Sequence, residues 1–444
     1  MSTVTAPLSV ARAVSTLRRI RRSSQSPPPG RPPRFLFFVF GFPPDFSGAT
    51  LQTLELAKAL RARGVRSSFL AETYAPDLPR LTVEEGFVVR RIVRRGDRSI
   101  HGFGLKLALA VLARAGDFDV LFFGGNPGEF WTTAYATAAA KLLGKKVLVE
   151  LNMEFYDGDP LRIRGTHLEA TKTWLASRVD RFLPNSGAIL RSFPTDLVGA
   201  RAELLSYGVD LARFAPAPSR EEARRERARL RLPLDRKVVC AVGAVTRRKN
   251  PDFVLRAWRR VCARLGVRPP LLVWIGPAMT EDREHHDGAW VRALLAEAER
   301  EPLAGNVRFV GHRERPEELL RAADGFVFAS RQEGSPSVIR EALACGLPCV
   351  ALELPGITDE LIEDGRNGFL IPVADRAAFQ AWQRTPYGDP RALEAFADRV
   401  VRVLEDPSLA LLLGAKAQET AARRFSIDAR ADRLLEIVSR EDPS

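Results

Sequence analysis

Twice along the chain, short and wholly apolar runs alternate with stretches long enough for an amphipathic helix. That alternation restricts the chain to parallel sheets wrapped by helices. Parallel strands need a crossover between them, and a helix on each face buries both sides of the strand, so the strand reads as a continuous apolar run. The first set covers residues 35–40, 67–71, 120–123 and 147–151, and the second covers 238–242, 271–275, 307–310, 326–329 and 349–352. The spacing of Leu51, Leu54, Ala57 and Leu60 predicts a helix over 50–63, with Gly64 as its stop. Between the two sets lies a Pro-bounded stretch, 216–236, dense in Arg and Glu, which reads as a connector with a solvated helix. Two doubly wound, Rossmann-like domains follow. Such sheets bind ligands at the carboxyl ends of their strands, so two of them facing each other make a central cleft.

At 444 residues the chain is long enough for two or three domains of ~100–200 residues, each with its own core. No stretch approaches the ~18 apolar residues of a membrane-spanning helix. The four cysteines, Cys240, Cys262, Cys345 and Cys349, form no CxxC pair and fit a reducing, cytoplasmic location. The formal net charge is +13, and seven arginines with no acid fall within residues 1–34, so more than half of the excess sits in that tail. Leu8, Val14, Leu17 and Ile20 give the tail a helical apolar stripe ahead of a Pro-rich run. It reads as a solvated arm, as a basic helix on an anionic membrane surface, or as an organelle-targeting segment. With the charge concentrated there, the body carries no basic stripe and no recognised module for nucleic acid.

The chemistry concentrates in FVFASRQEGSPSVIREALACGLP, residues 326–348. A buried strand ends near Ser330, and a loop then carries Glu333 and Gly334. A helix follows, with Ser335 predicted as its N-cap, Pro336 at its first position and Gly346 as its stop. The amides of Ser337 and Val338 have no intrahelical partner and the helix dipole adds to them, so this start suits a phosphate. Glu341 lies one turn beyond Ser337 and leans back toward it, where a carboxylate can take vicinal hydroxyls. Glu333 comes from the loop on the other side of that phosphate site. Carboxylates flanking a phosphate suggest a sugar at each end.

These residues resemble the retaining nucleotide-sugar glycosyltransferases of the GT-B fold, family 4, also called glycosyl transferases group 1. The Glu-x7-Glu signature matches Glu333 to Glu341 and is followed by EALACGLP at 341–348. Further matches are Val242-Gly243 with Lys249, Phe309-Val310-Gly311, Gly356-Ile357 through Asp364-Gly365, Asn367 to Leu370, Pro43-Pro44 to Gly48, and Gly208 to Phe214. The resemblance spans about residues 35–440, densely in the second half. It implies an N-terminal acceptor domain over 35–215, a C-terminal donor domain over 237–390, and helices over 391–444 packing back across both. It also implies roles: Glu341 on the ribose, Glu333 on the donor sugar, Lys249 on the diphosphate, Gly48 as the glycine that lets the N-terminal loop approach the donor, and Gly243 in the donor site. The Gly334 loop and the Ser335, Ser337 and Val338 helix start would hold the phosphates, and the backbone of Gly311 and His312 would wall the nucleobase. Where the family commonly has an arginine after the glycine of the Lys249 loop, this chain has Ala244, and Arg247 or Arg248 is the cation available instead. Where the family often has a histidine after the strand 147–151, the sequence reads Glu150-Leu151-Asn152-Met153-Glu154.

The expected activity is therefore transfer of a hexosyl-type group from a nucleoside diphosphate donor, with retention, to a glycan, lipid-linked or small-molecule acceptor. The resemblance implies a front-face route without a cofactor or metal, in a pathway of polysaccharide or glycolipid synthesis. Two other readings stay open: a sugar-nucleotide epimerase on the same fold, and a degenerate transferase that only binds. His285-His286, beside Asp282, Glu284 and Asp287, lacks the spacing of a helical zinc site and reads as a polar loop.

Overall fold

The computed structural model of the chain describes residues 31–43, 47–94, 100–125, 130–152, 161, 163–281, 287–381 and 387–440. These divide into two units, one running up to Ser206 and resuming at Asp428, the other being Tyr207–Ile427.

The first unit contains β1 (Phe35–Phe40), α1 (Gly48–Ala62), β2 (Ser67–Thr73), β3 (Leu81–Glu84), β4 (Phe87–Val93), α2 (Ile100–Leu112) and β5 (Val120–Gly124). It continues with α3 (Phe130–Leu142), β6 (Lys146–Leu151), α4 (Glu169–Ala176), β7 (Arg181–Pro184), α5 (Gly187–Arg191) and α6 (Thr195–Val198). Its seven strands are ordered β3-β4-β2-β1-β5-β6-β7, all parallel except the β3–β4 pair. The central strands are buried on both faces, as their apolar runs require, and Phe37 stacks on Phe69 at 5.3 Å and meets Phe122 edge-on at 5.2 Å. The expected helix after β1 is α1, capped by the Ser47 hydroxyl and ended where Gly64 turns left-handed at φ +77°. The sequence reading did not include β3, β4 or β7.

The second unit contains α7 (Arg220–Arg229), β8 (Val238–Val242), α8 (Pro251–Leu265), β9 (Leu271–Ile275), α9 (Gly288–Ala298), β10 (Val307–Phe309) and α10 (Pro316–Arg321). It continues with β11 (Gly325–Phe328), α11 (Ser337–Ala344), β12 (Cys349–Leu352), β13 (Gly368–Ile371), α12 (Arg376–Gln380), α13 (Pro390–Glu405) and α14 (Pro407–Arg424). The wholly parallel sheet has the order β10-β9-β8-β11-β12-β13. The order reverses between β8 and β11, which makes a switch point where the loops after those two strands diverge and leave room for a ligand. The helix of the connector is α7, and none of its residues is buried.

The unit boundary falls at Ser206/Tyr207 where the sequence suggested 215/216, and the reason is local. Val209 donates its amide to the Phe425 carbonyl at 2.7 Å, Ile427 donates to Val209 at 3.0 Å, and Arg213 reaches Glu317 at 3.0 Å, so 207–214 is tied into the second unit. The last helix, α15 (Ile427–Ser439), belongs to the first unit from Asp428 onward. There Arg430 and Glu150, both buried, form an ion pair, and Arg430 also donates to the Gln52 carbonyl at 3.2 Å. No helix among the described residues is long and apolar enough to cross a membrane.

Candidate active site

Two loops leave the switch point side by side. After β8, Gly243 donates its amide to Ile275 O at 2.8 Å and accepts from the Trp274 indole at 2.8 Å, which fixes the strand end. Its φ of +154° suits glycine, and an added Cβ would lie 3.2 Å from the Lys249 side chain, so the glycine leaves space for that chain to pass. Arg247–Lys249 then form one 3-10 turn, capped by the Thr246 hydroxyl and ended by Asn250 in the left-handed conformation at φ 59°. Asn250 is fully buried, and its side-chain amide donates to Ala329 O at 3.1 Å. Arg331 donates its amide to Arg248 O at 2.8 Å. The turn after β8 is thus pinned to the end of β11.

The consequence is a cluster of one anion between two cations. The Lys249 ammonium lies 2.5 Å and the Arg248 guanidinium 2.9 Å from the same Glu333 oxygen, and the Ser330 hydroxyl donates to it at 2.6 Å. Burial pushes the Glu333 carboxyl up, but Lys249, Arg248 and Ser330 outweigh it and bring it down to about 2. Lys249 also falls below its ordinary value: burial lowers it, Glu333 only partly restores it, and Arg248 works against it. Arg247 points elsewhere, pairing with Asp287 at 2.6 Å over the Trp290 ring, so Arg248 is the arginine at this cluster.

Past the Gly334 loop, α11 begins at Ser337, not at Pro336, which occupies the cap position in an extended conformation (φ −70°, ψ 105°). Ser335 is therefore not the N-cap. Its hydroxyl instead accepts from the buried Arg340 guanidinium at 2.7 Å. The Ser337 and Val338 amides still open the helix, and among the described residues they donate to no protein acceptor. Glu341 stands half-buried one turn further on. Gly346 ends the segment at φ +74°.

Gly311 is left-handed at φ +70° with open space around it, and its carbonyl accepts the Gly276 amide at 2.9 Å, while His312 is exposed. In the first unit, Gly48 is the first residue of α1, and a Cβ there would meet no atom within 4 Å, so protein packing alone does not demand a glycine. Pro44, Met153, Glu154, His285 and His286 lie outside the described residues, as does the tail to residue 30. Among the described residues there is no group of three or more His, Cys, Asp or Glu side chains that could hold a metal. All four cysteines are free and buried. The sequence reading missed Ser330 and Asn250. Their signals were a hydroxyl at a strand end three residues before Glu333 and an Asn-Pro step directly after Lys249.

Comparison with known proteins adds three findings. Residues 236–383 match the family described as glycosyl transferases group 1, and residues 46–213 match glycosyltransferase family 4. Among curated proteins the chain is similar to D-inositol 3-phosphate glycosyltransferases: 27% identical to that of Thermomonospora curvata, over 89% of this chain and 91% of the other. It is 31% identical to that of Kineococcus radiotolerans, over 59% and 57%. Among solved structures it shares its fold with the sucrose-phosphate synthase of Thermosynechococcus elongatus (TM-score 0.69, 20% identity, 92% and 98% covered). The same holds for Anabaena Alr3699/HepE in complex with UDP and glucose (TM-score 0.66, 19% identity, 92% and 99% covered).

Proposed function

Because the chain belongs to the glycosyltransferases of family 4, group 1, we propose that it moves a hexosyl group from a nucleoside diphosphate donor to an acceptor hydroxyl with retention of configuration. The observation that carries this reading is the Glu333–Lys249–Arg248 cluster at the switch point, with the open amides of Ser337 and Val338 and the Glu341 carboxylate following in the same chain segment. In the proposed reaction the bond from the anomeric carbon to the diphosphate oxygen breaks, and the acceptor oxygen bonds to that carbon on the same face. The departing phosphate takes the acceptor's proton. Charge accumulates on the diphosphate as the bond breaks, and Lys249, Arg248 and the helix amides stabilise it without reorganising water. Glu341 holds the ribose hydroxyls, Glu333 the sugar, and Gly311 and His312 border the base. Gly48, where protein packing leaves room for a side chain, stays open for the substrate.

The relatives' names supply the first substrates to try: UDP-sugars as donors and D-inositol 3-phosphate as acceptor. A donor panel assayed for nucleoside diphosphate release, with the product anomer read by NMR, tests the reading. Release from no sugar nucleotide would refute it, and an inverted product would refute retention. The arginine-rich residues 1–34 belong to this reading as an arm that holds the enzyme at an anionic membrane surface near lipid-linked acceptors. Unchanged co-sedimentation with anionic vesicles after deletion of residues 1–33 would exclude that role.

A further inference from the structure

At the opposite edge of the second unit's sheet, where Lys237 leads into β8, Asp324 into β11 and Pro348 into β12, lies a trench of about 700 Å³. Its two long walls are helices of different character. On α7 the lining residues are Arg220, Ala223, Arg224 and Arg227, spaced i, i+3, i+4 and i+7, so one whole face of that helix points inward and gives the body a short basic stripe that the charge reading of the sequence did not count. On α14 the wall is apolar, Pro407, Ala410, Leu411, Gly414 and Ala415, up to Gln418. Leu411 there is 63% exposed, and Gly414 packs so closely on Gly346 that a Cβ would lie 2.5 Å from the Gly346 carbonyl. Leu234 adds a second exposed apolar side chain.

The charges in the trench do not balance. Among the described residues the Arg220 and Arg224 guanidinium groups have no acidic partner. Arg227 and Lys237 share the single carboxylate of Asp324, at 2.5 and 3.5 Å, which also accepts the Val238 amide at 2.8 Å. A cationic wall facing an apolar one is matched by a rod with carboxylates along one side and aliphatic side chains along the other. A bilayer is flat and cannot follow a concave floor, and a nucleic acid has no aliphatic face for the Leu411 wall.

We propose that this trench docks an amphipathic helix of a partner protein, acidic toward α7 and leucine-bearing toward α14. The site is separate from the candidate active site. Of the two ends of α11, the start carries the open amides and the end, Cys345 to Leu347, lines the trench, ~12 Å away at 1.5 Å per residue.

The test uses the full chain and a fluorescein-labelled 18-residue helical peptide with Glu on one face and Leu on the other, read by anisotropy. Binding should weaken with salt and fall at least ~10-fold in Arg220→Glu/Arg224→Glu and in Leu411→Asp, two exposed changes that leave donor hydrolysis intact. A peptide with Ser in place of Leu should bind at least ~10-fold more weakly. Three results would overturn the proposal. One is no binding of the Glu/Leu peptide. Another is equal binding by wild type and Leu411→Asp, which marks a bare polyanion patch. The third is poly(U) or phosphatidylglycerol vesicles losing affinity in both variants while the peptide does not.

Discussion

Replacing Glu333 by glutamine keeps the shape of the side chain and removes its charge from between two cations. In the protein the carboxyl is brought to about 2, against an ordinary 4.5. At 1.36 kcal/mol per pH unit that gap is worth ~3 kcal/mol in favour of the ionised form. The folded value is the depressed one, so this contribution is complete above pH ~4.5 and is lost as pH falls through about 2. Glu333→Gln should therefore lose up to ~3 kcal/mol of stability at pH 7, and the difference from wild type should close between pH ~5 and ~2. Urea unfolding of both proteins at pH 7 and at pH ~3 measures it.

The same charge competes with substrate. In the free protein a diphosphate must draw Lys249 and Arg248 away from Glu333; in the variant nothing competes. Nucleoside diphosphate should then bind more tightly by up to ~100-fold, the same ~3 kcal/mol expressed as affinity, while sugar transfer should fall if Glu333 holds the sugar as proposed. Titration calorimetry with UDP at pH 7 reads the gain. Weaker UDP binding by the variant would show that Glu333 does not restrain the cations, and a stability difference that ignores pH would show that its charge is not what stabilises the turn.

The nine strands read from the sequence were legible because burial on both faces writes itself into sequence as apolar runs, and those runs fix strand positions to within a residue or two; β13, four residues at the edge of the second sheet, was not among them. The order of strands is not written there. Lys249 and Glu333 are 84 residues apart. Their contact follows from β8 lying beside β11, a pairing that strand–helix alternation alone does not specify. The resemblance named both residues but gave them separate posts, on the diphosphate and on the sugar, and only the strand order shows that they grip each other. The hairpin of β3 and β4 was missed although Glu85 and Gly86 supply two left-handed residues between them, at φ 53° and 78°. Residues 81–84 do alternate, Leu-Thr-Val-Glu, but Leu81 and Val83 are the exposed side and Thr82 and Glu84 the half-buried one, the reverse of a core-facing pattern, and four residues are a short run to read. Ser335 looked like a cap because it precedes a proline at a helix start. Arg340, five residues on, takes its hydroxyl, a competition that local propensity does not encode.

Three further outcomes follow from named groups. Lys249→Ala should slow transfer by at least ~100-fold, and because burial lowers the Lys249 ammonium, wild-type activity should fall on the alkaline side before pH reaches the ordinary 10.5, and sooner still in Glu333→Gln; a pH–rate profile flat to pH ~10.5 would contradict this. Glu341→Ala should weaken donor binding by ~1.5–3 kcal/mol with the fold intact, as the loss of a charge-assisted hydrogen bond requires, and unchanged donor affinity would remove it from the site. The last concerns the end of the chain. Arg430 and Glu150 pair where the last helix enters the first unit, with 2% and 0% of their side chains exposed. Breaking a pair that has left water costs more than the pair contributes, because the remaining charge keeps its desolvation penalty, so Arg430→Ala should destabilise the first unit by ~3–5 kcal/mol. Arg430→Met with Glu150→Gln removes both charges and should recover most of that loss. Urea unfolding of wild type, single and double variants decides the matter: a double variant less stable than Arg430→Ala would mean that the charges themselves, and not their burial, hold the helix in place.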